Sequence, residues 1–242
     1  MIVLFTDFGI EGPYVGQVQA VLQQQAPGIP VINLFSDLPP FDIQGAAYLL
    51  PAYSSGFDSG TVFLCVVDPG VGGDRPAVLV CADGRWYVGP NEGLFALLAR
   101  RAVKVECWQL TTPAGASSSF HGRDVFAPIA AQLAREDKYT GEALSMDRLV
   151  QPDWPDDLFR VVYTDRFGNL ITGVRASSID QDATLEINAQ VLKPARTFSS
   201  VARGELFWYE NSNGLVEIAV NQGSAAAALG VTSGDAFIMQ DC

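Results

Sequence analysis

The chain has 242 residues, of which 48% are hydrophobic, and its formal net charge at pH 7 is −12. This length and hydrophobic content suffice for one large or two smaller folded domains and argue against disorder. The charge argues against nucleic-acid binding and against a basic membrane-surface helix, and no apolar run approaches the ~20 residues of a membrane span.

Residues 1–150 alternate strand-like and helix-like segments. Asp42 is the expected N-cap of the second helix, which Pro51 is a candidate to end early. Continuous apolar strands between amphipathic helices predict an N-terminal α/β domain, a mainly parallel sheet with helices on both faces. The predicted strands are 2–6, 31–35, 61–67, 77–81, 86–88 and 103–110, and the predicted helices are 14–25, 42–53, 91–101 and 123–135. Strands 77–81 and 86–88, joined by Ala-Asp-Gly-Arg at 82–85, are expected to form a hairpin.

Residues 158–242 have a different pattern, of short strands separated by turn residues. Such spacing without a long helix predicts a small β barrel or sandwich as a second domain. Residues 151–157 are the expected linker. The predicted strands are 159–164, 170–174, 184–187, 205–209, 216–220 and 236–239.

The amino terminus and the cysteines indicate the compartment. Residues 1–7 lack a basic leader and a cleavage site, so they are interpreted as the first strand. Cys65, Cys81, Cys107 and Cys242 include no Cys-x-x-Cys pair, which argues against zinc and redox motifs and makes a reducing cytoplasm the simplest setting. Cys65 and Cys81 are expected to be buried, inert thiols.

Two acids follow predicted strands, where ligands bind in α/β sheets. Asp7 is placed either to accept the two hydroxyls of a ribose or to cap the next turn. Asp68 is followed by a glycine-rich loop and, seven residues later, by Arg75. The loop matches neither phosphate-binding pattern, and the Asp–Arg pair is either a functional carboxylate held in one orientation or a structural ion pair.

The only histidine, His121, precedes a predicted helix. A helix amino terminus disfavours positive charge, so the imidazole is expected to stay neutral, the form that can accept a proton from water. The alternative is a buried structural histidine. Arg123 and Asp124 are interpreted as charges of the helix start. Five aromatic residues are candidates either for stacking on a purine or for the core, namely Phe41, Phe120, Phe167, Phe198 and Trp208.

Six motifs in order along nearly the whole chain resemble the S-adenosyl-L-methionine (SAM) hydroxide adenosyltransferases, which are related to the fluorinases and chlorinases. They are Thr-Asp-Phe-Gly at 6–9 with Tyr-Val-Gly at 14–16, Asp-Pro-Gly-Val-Gly at 68–72, Gly-Pro-Asn-Glu-Gly-Leu at 89–94, Phe-His-Gly-Arg-Asp at 120–124, Asp-Arg-Phe-Gly-Asn at 165–169, and 214–221. The resemblance implies a C-terminal β barrel, and a homotrimer with active sites between subunits. It implies hydrolysis of SAM to adenosine and L-methionine, with no metal and no other cofactor.

The resemblance also implies roles for individual residues. Asp68, Arg75 and His121 match the water-activating triad, and Asp7 matches the acid that binds the ribose. The remaining substrate-binding positions are Phe41 and Phe120 at the sugar and sulfonium, Asn169, Phe198 and the backbone near Val220 and Gln222 at the adenine, Asp165 and Ser212 at the methionine end, and Phe167 as a candidate aromatic.

The chain departs from the family pattern at three positions, Gly12, Glu92 and Gly173, and the first of these lacks an acid that helps to hold the methionine end. Two other functions stay open, a SAM-dependent halogenase and a non-catalytic SAM or adenosine sensor. The triad argues against the halogenase, because a halide needs no base. A metal-dependent hydrolase is disfavoured, because one histidine and dispersed acids give no ligand cluster.

Overall fold

The computed structural model describes residues 1–137, 139 and 141–240, and the chain divides into two compact units after Pro152. Cys242 lies outside the described residues, and so does the end of the second predicted domain. Within the described residues, no helix combines the length and the hydrophobicity needed to cross a membrane.

Among its described residues, the first unit contains seven strands and four α-helices. The strands are β1 (Ile2–Thr6), β2 (Val31–Phe35), β3 (Val62–Val66), β4 (Ala77–Ala82), β5 (Arg85–Pro90), β6 (Val105–Leu110) and β7 (Glu142–Ala143). The helices are α1 (Tyr14–Gln25), α2 (Ile43–Ser54), α3 (Ala96–Arg101) and α4 (Ala127–Ala134), with a π-helical turn at Gly122–Phe126 and a 3₁₀ turn at Met146–Arg148.

The seven strands form one sheet in the order β2-β1-β3-β5-β4-β6-β7. The first three pairs in this order, β2 with β1, β1 with β3 and β3 with β5, are parallel. The last three pairs, β5 with β4, β4 with β6 and β6 with β7, are antiparallel. β1 and β3 are neighbours with Thr6 opposite Val66, so their carboxyl ends meet at one edge of the sheet. This edge is where Asp7 and Asp68 follow their strands.

Helices cover both faces of the sheet, as predicted. α1 and α4 pack together on one face, over the side chains of Ile2, Leu4 and Leu64. α2 and α3 pack together, and the hydroxyl of Tyr87 in β5 donates to Ser54 at the end of α2. β1 and β3 are buried along their whole length, which explains why their sequences are continuously apolar.

Three helix predictions need correction. The helix predicted at 91–101 begins only at Ala96, since Gly93 has φ +105°, which is incompatible with a helix. Pro51 does not end α2, which continues to Ser54, whereas the N-cap is confirmed because Asp42 accepts from the Gly45 N–H at 2.9 Å. The helix predicted from residue 123 begins as a π-helical turn.

The predicted hairpin is confirmed, and its turn explains its sequence. β4 and β5 pair in antiparallel register up to Ala82 and Arg85, so Asp83 and Gly84 form a two-residue loop. Both have positive φ, as a type I′ turn requires. β7 and the 3₁₀ turn after it were not predicted, because two or three residues carry too little periodicity.

In the part of the second unit that the structure describes, up to residue 240, there are seven strands and one short α-helix. They are β8 (Leu158–Thr164), β9 (Leu170–Arg175), β10 (Thr184–Ile187), β11 (Gln190–Leu192), β12 (Leu206–Glu210), β13 (Leu215–Val220) and β14 (Ile238–Gln240), with α5 (Ala225–Leu229) and 3₁₀ turns at Ala176–Ser178 and Phe198–Ser200. β11 and α5 were not predicted.

These strands form two antiparallel sheets, β12-β13-β9-β8 and β11-β10-β14. Isolated bridges connect the sheets at both edges, Arg160 with Ala236 and Pro194 with Trp208. The two sheets therefore close on each other into a small barrel, and the predicted antiparallel architecture is confirmed. Alternate residues of β13, namely Val216, Ile218 and Val220, fill its core.

Candidate active site

Three side chains from two loops meet at the carboxyl edge of the first unit's sheet. Asp68 follows β3, Arg75 precedes β4 at the other end of the glycine-rich loop, and His121 precedes the π-helical turn. They are separated by up to 53 positions in the sequence, from 68 to 121, and are joined by direct hydrogen bonds. The cluster of predicted catalytic residues is therefore formed within one unit.

Asp68 and Arg75 form a two-pronged ion pair. Nε of Arg75 donates to Oδ1 of Asp68 at 2.8 Å, and Nη2 of Arg75 donates to Oδ2. Both side chains are only 6% exposed, so the pair is largely withdrawn from solvent. Parallel bonds between a guanidinium and a carboxylate fix both groups in plane and orientation.

The third member, His121, is tied to the same guanidinium, with its Nδ1 lying 2.9 Å from Nη2 of Arg75. Arginine is only a donor, so Nδ1 must be the acceptor. The proton of the neutral imidazole is then on Nε2. This tautomer makes Nε2 a donor and leaves the ring no second nitrogen that can accept a proton while the Arg75 bond persists.

The surroundings of His121 favour this neutral form. The side chain is buried, and its burial and the adjacent Arg75 guanidinium together lower its pKa from 6.5. Asp68 and Asp124 act in the opposite direction. The buried ring of Phe126 lies 5.5 Å from the Arg75 guanidinium carbon and 6.5 Å from the imidazole, and it forms an apolar wall behind both.

The π-helical turn gives His121 its position at the start of a helix. The residue is the N-cap of this turn, which runs directly into α4. π-Helical turns are rare and are often found at functional sites. The turn also needs Gly122, because a Cβ there would lie 2.8 Å from the ring of Phe8.

A second glycine lets the two loops touch. Gly72, in the loop between Asp68 and Arg75, has φ +80°, and a Cβ on it would lie 2.2 Å from the carbonyl oxygen of Ser118. The segment before His121 therefore packs directly on the backbone of the Asp68–Arg75 loop. The contact therefore joins the segment that leads to His121 with the loop that carries the ion pair.

Asp7 lies at the same sheet edge and holds a strained residue. Its Oδ2 accepts from the backbone N–H of Phe41 at 3.2 Å, so it does not simply cap its own turn. Phe41 has φ +66°, unusual for an aromatic residue, and is 73% exposed. Burial raises the pKa of the Asp7 carboxyl, with a smaller contribution from the charge of Asp68.

Aromatic side chains surround this edge. The rings of Phe8, Tyr14 and Phe120 contact one another edge-on or tilted, with centroids 5.3–6.3 Å apart. Phe120 directly precedes the histidine and is 9% exposed. Phe120 and Phe41, both predicted to bind the substrate, thus lie at the edge of the sheet that carries Asp68, Arg75 and His121.

Two of the three departures from the family pattern lie in loops at this edge of the first unit, and the third lies in the second unit. Gly12 has φ +116°, and a Cβ on it would meet nothing within 4 Å, so the space beside it is open. Glu92 packs against Gly70, and its Oε2 is buried without a hydrogen-bond partner among the described residues. Gly173 pairs with Leu158 in the β8–β9 ladder of the second unit.

The predicted residues of the second unit begin with the turn between β8 and β9. Oδ1 of Asp165 accepts from the N–H groups of Phe167 and Asn169, and Oδ2 accepts from the side-chain amide of Asn169. Asn169 is buried, and its Oδ1 has no partner among the described residues. A buried orphan acceptor is unusual in a folded protein and indicates a site for a donor. Phe167 is 75% exposed.

The other predicted residues of this unit lie along β12 and β13. Phe198 packs edge-on against Phe207 and Tyr209, with centroids 5.3 Å apart. Val220 ends β13, followed by Gln222, whose φ is +58°. Ser212 lies at the opposite end of β13 and lines a cavity of about 700 Å³.

For Trp208, the structure favours the core alternative over purine stacking. Trp208 is 4% exposed and belongs to the barrel core, where its Nε1 donates to the carbonyl of Ala183 at 3.0 Å. Its position in β12 places it on the inner face, whereas Phe207 and Tyr209 point to the other face. A single sequence gives no way to choose between alternate strand residues of equal hydrophobicity.

The sequence also missed Gln17, Arg123 and Asp124 as parts of this region. Arg123 pairs with Asp124 and reaches Gln17 in α1. The contact to Gln17 spans 106 positions, and no local pattern marks it. Among the residues that the structure describes, no group of three or more His, Cys, Asp or Glu side chains is arranged to hold a metal ion.

Comparisons with known proteins match both units. The model of the SAM hydroxide adenosyltransferase N-terminal domain matches residues 2–141, and that of the corresponding C-terminal domain matches residues 159–238. A protein of Thermus thermophilus named (R)-S-adenosyl-L-methionine hydrolase is 41% identical, with 95% of each chain covered. A protein of the same name from Methanocaldococcus jannaschii is 32% identical over 74% of this chain and 68% of the relative.

More distant relatives and a solved structure agree with this placement. A fluorinase of an Actinoplanes species is 24% identical over 75% of this chain and 74% of the relative. The crystal structure of an uncharacterized conserved protein from Thermotoga maritima superposes with a TM-score of 0.87 at 29% identity, covering 99% of both chains. The fold and the order of the two domains are thus shared over the whole chain.

Proposed function

The chain belongs to the SAM hydroxide adenosyltransferase family, and we propose that it hydrolyses SAM to adenosine and L-methionine through water activated by Asp68, Arg75 and His121. The observation that carries this proposal is the buried, hydrogen-bonded cluster of these three side chains. The names of the hydrolase relatives specify the (R) form of the substrate, so we include (R)-SAM as the preferred diastereomer.

The reaction needs help at the nucleophile and not at the leaving group. In SAM the sulfur is a sulfonium, and it leaves as the neutral thioether of methionine when it takes the electron pair of the C5′–S bond. Water is a weak nucleophile that must lose a proton as its oxygen bonds to C5′. A positioned general base contributes about 10²–10⁴-fold to such a step, and holding water in line with the C5′–S bond contributes further.

We assign Asp68 as the general base that accepts the proton of the attacking water. The tautomer described above leaves His121 no free acceptor nitrogen, whereas a carboxylate oxygen keeps a lone pair beside each bond to Arg75. As the C–O bond forms, water becomes a protonated alcohol, which is acidic enough to donate to an ordinary carboxylate. His121 would orient Arg75 through Nδ1 and donate to the water oxygen from Nε2.

Two asparagine variants separate these roles. His121→Asn keeps an acceptor for Arg75 but loses the Nε2 donor to the water, so kcat should fall by about 10²-fold, as for a misplaced catalytic group. Asp68→Asn keeps the shape but not the charge, and kcat should fall further, by up to about 10⁴-fold. A larger loss in His121→Asn than in Asp68→Asn would instead make the imidazole the base.

The rest of the substrate is assigned by resemblance and supported by orphaned or strained groups. Asp7 would accept from the ribose hydroxyls, with Phe41 and Phe120 near the sugar and sulfonium. The buried, unpaired Oδ1 of Asn169 would accept from the exocyclic amine of adenine. Phe198, Phe167 and the backbone at Val220 and Gln222 would complete the adenine site, with Asp165 and Ser212 at the methionine end.

Assembly and location are further parts of the proposal. We include a homotrimer whose sites combine the first unit of one subunit with the second unit of the next, as the family resemblance implies. We also include a cytoplasmic location, which the unpaired thiols of Cys65, Cys81 and Cys107 support. Sedimentation of the purified protein tests the first, and cell fractionation tests the second.

One experiment distinguishes hydrolysis from its alternatives. The protein is incubated with (R)-SAM and separately with (S)-SAM in oxygen-18 water, with and without chloride or fluoride, and the products are separated by chromatography. Hydrolysis predicts equal amounts of adenosine and methionine, with one oxygen-18 in the 5′-hydroxyl. A 5′-halo-5′-deoxyadenosine product would identify a halogenase, and tight binding without turnover would identify a sensor.

A further inference from the structure

Helices α1 and α4 are joined at both ends of α4 by an arginine–aspartate pair. Each pair uses two guanidinium nitrogens for its aspartate and the third to reach α1. Only the pair at the beginning of α4 lies next to His121. Comparing the two pairs therefore separates the effect of joining the two helices, which both pairs have, from an effect on the active site, which only the first pair can have.

The first pair is Arg123 with Asp124. Nε of Arg123 donates to Oδ1 of Asp124 at 2.6 Å, and Nη2 donates to Oδ2 at 2.9 Å. Nη1 donates to Oε1 of Gln17 at 2.8 Å, across to the middle of α1. The guanidinium carbon also lies 5.3 Å from the ring centroid of Phe120, the residue before the histidine.

Asp124 extends this brace to the other side of His121. Its Oδ2 also accepts from the backbone N–H of Ser117 at 2.9 Å, which closes the segment from residue 117 to 124. Ser118, inside that segment, carries the carbonyl that packs on Gly72. The brace thus holds the backbone on both sides of His121 and, through Ser118, the loop with Asp68 and Arg75.

The second pair, Arg135 with Asp137, has the same design at the far end. Nε and Nη2 of Arg135 donate to Oδ2 of Asp137 at 3.0 and 2.6 Å, and Nη1 donates to the carbonyl oxygen of Gln25 at the end of α1. No residue of this pair hydrogen-bonds to the triad. Both arginines are partly exposed, at 34% for Arg123 and 41% for Arg135.

We propose that Arg123, Asp124 and Gln17 form a positioning brace that fixes His121 against Arg75 for water activation. None of the three is assigned to contact the substrate. The effect would be on the geometry of the triad, where a displacement of about 1 Å can cost about 10²-fold in rate. This inference rests on the proposed hydrolysis of SAM.

The test compares Arg123→Met with Arg135→Met, which remove the same type of side chain from the two ends of α4. We expect Arg123→Met to lower kcat about 10–100-fold with KM changed less than about threefold, since the brace acts on geometry. Arg135→Met should keep kcat within about twofold. Gln17→Ala, which leaves the ion pair intact, should lower kcat in the same direction, and Gln17→Glu, which restores an acceptor, should recover it.

A second readout uses the fact that His121 is the only histidine of the chain. In a tag-free protein, the imidazole NMR signals need no assignment, and Arg123→Met or Gln17→Ala should shift or broaden them whereas Arg135→Met should not. Equal kcat and unchanged imidazole signals in the Arg123 and Arg135 variants would overturn the inference. If Arg123→Met does not fold, an unchanged kcat and imidazole signal in Gln17→Ala would overturn it. A wild-type protein that does not hydrolyse SAM would refute the proposed function instead.

Discussion

Replacing Gly72 by alanine should separate the two loops that carry the triad. A Cβ at this position would lie 2.2 Å from the carbonyl oxygen of Ser118, and real Cβ contacts are essentially never closer than 3.0 Å. Backbone must therefore move by at least 3.0 − 2.2 = 0.8 Å. Because the Ser118 segment leads to His121, the imidazole should retreat from Arg75 by a comparable distance.

The expected loss follows from this displacement. A shift of about 1 Å in a catalytic group costs about 10²-fold, so kcat of Gly72→Ala should fall by about that factor with KM changed little. Alanine at φ +80° also costs about 1–2 kcal/mol of stability, whatever the space around it. The assay is the release of adenosine from SAM, with denaturant unfolding measured in parallel.

Gly28→Ala is the matched control for the backbone conformation. Gly28 also has φ +80°, but a Cβ on it would meet nothing within 4 Å. This variant should lose a similar amount of stability from the φ penalty and keep wild-type kcat. A Gly72→Ala protein with wild-type kcat would refute the idea that the Ser118 contact positions His121.

Three other predictions concern single groups. The imidazole of His121, which faces Asp68, Arg75 and Asp124, should titrate below pH 6.5, and its neutral form should carry the proton on Nε2. Because the pKa of this imidazole is lowered in the folded protein, kcat and folding stability should be retained at pH 6.5 and decline as the pH falls through that lowered pKa. NMR signals of an Nδ1–H tautomer would contradict this prediction. Wild-type protein should bind adenosine up to about tenfold more tightly than inosine, which lacks the exocyclic amine. In calorimetry, Asn169→Ala should abolish this preference for adenosine, whereas the control variant Asn213→Ala should keep it. Activity should be unchanged after treatment with a chelator, and loss that zinc or magnesium restores would show a metal requirement.

Much of the fold follows from local patterns in the sequence. The continuous apolar strands β1 and β3 predicted a sheet covered on both faces, and Asp83-Gly84 predicted the hairpin turn. The helix at 91–101 was predicted too long because its hydrophobic spacing continues through Gly93, whose φ of +105° no periodicity reveals. The π-helical turn was invisible for the same reason, since one extra residue in a turn leaves the local composition unchanged.

The candidate site was predictable in part. Residue types and strand ends marked Asp68 with Arg75, and separately His121, as candidates, and the family resemblance grouped the three. The structure brings them together through hydrogen bonds. Which atom donates and which accepts in those hydrogen bonds depends on the tertiary structure and not on local sequence. The donor that faces Nδ1 of His121, the Arg75 guanidinium, belongs to a segment far away in the sequence, and so does Gly72, which contacts Ser118 beside the histidine. The sequence could therefore name the imidazole but not its tautomer.

The same geometry bears on why water, and not a halide, would be the nucleophile. Asp68 adds a carboxylate, 6% exposed, to the cluster, and on the proposed mechanism a halide ion beside this carboxylate would meet like charge in a poorly solvated place. Neutral water meets no such repulsion, and it gains a proton acceptor that a halide cannot use. Arg75 offsets part of the negative charge, but both of its bonds to Asp68 are committed to holding that carboxylate in plane. On the proposed mechanism the cluster would therefore discriminate by charge as well as by chemistry, and Asp68→Asn should weaken hydrolysis while reducing the exclusion of halide from the site.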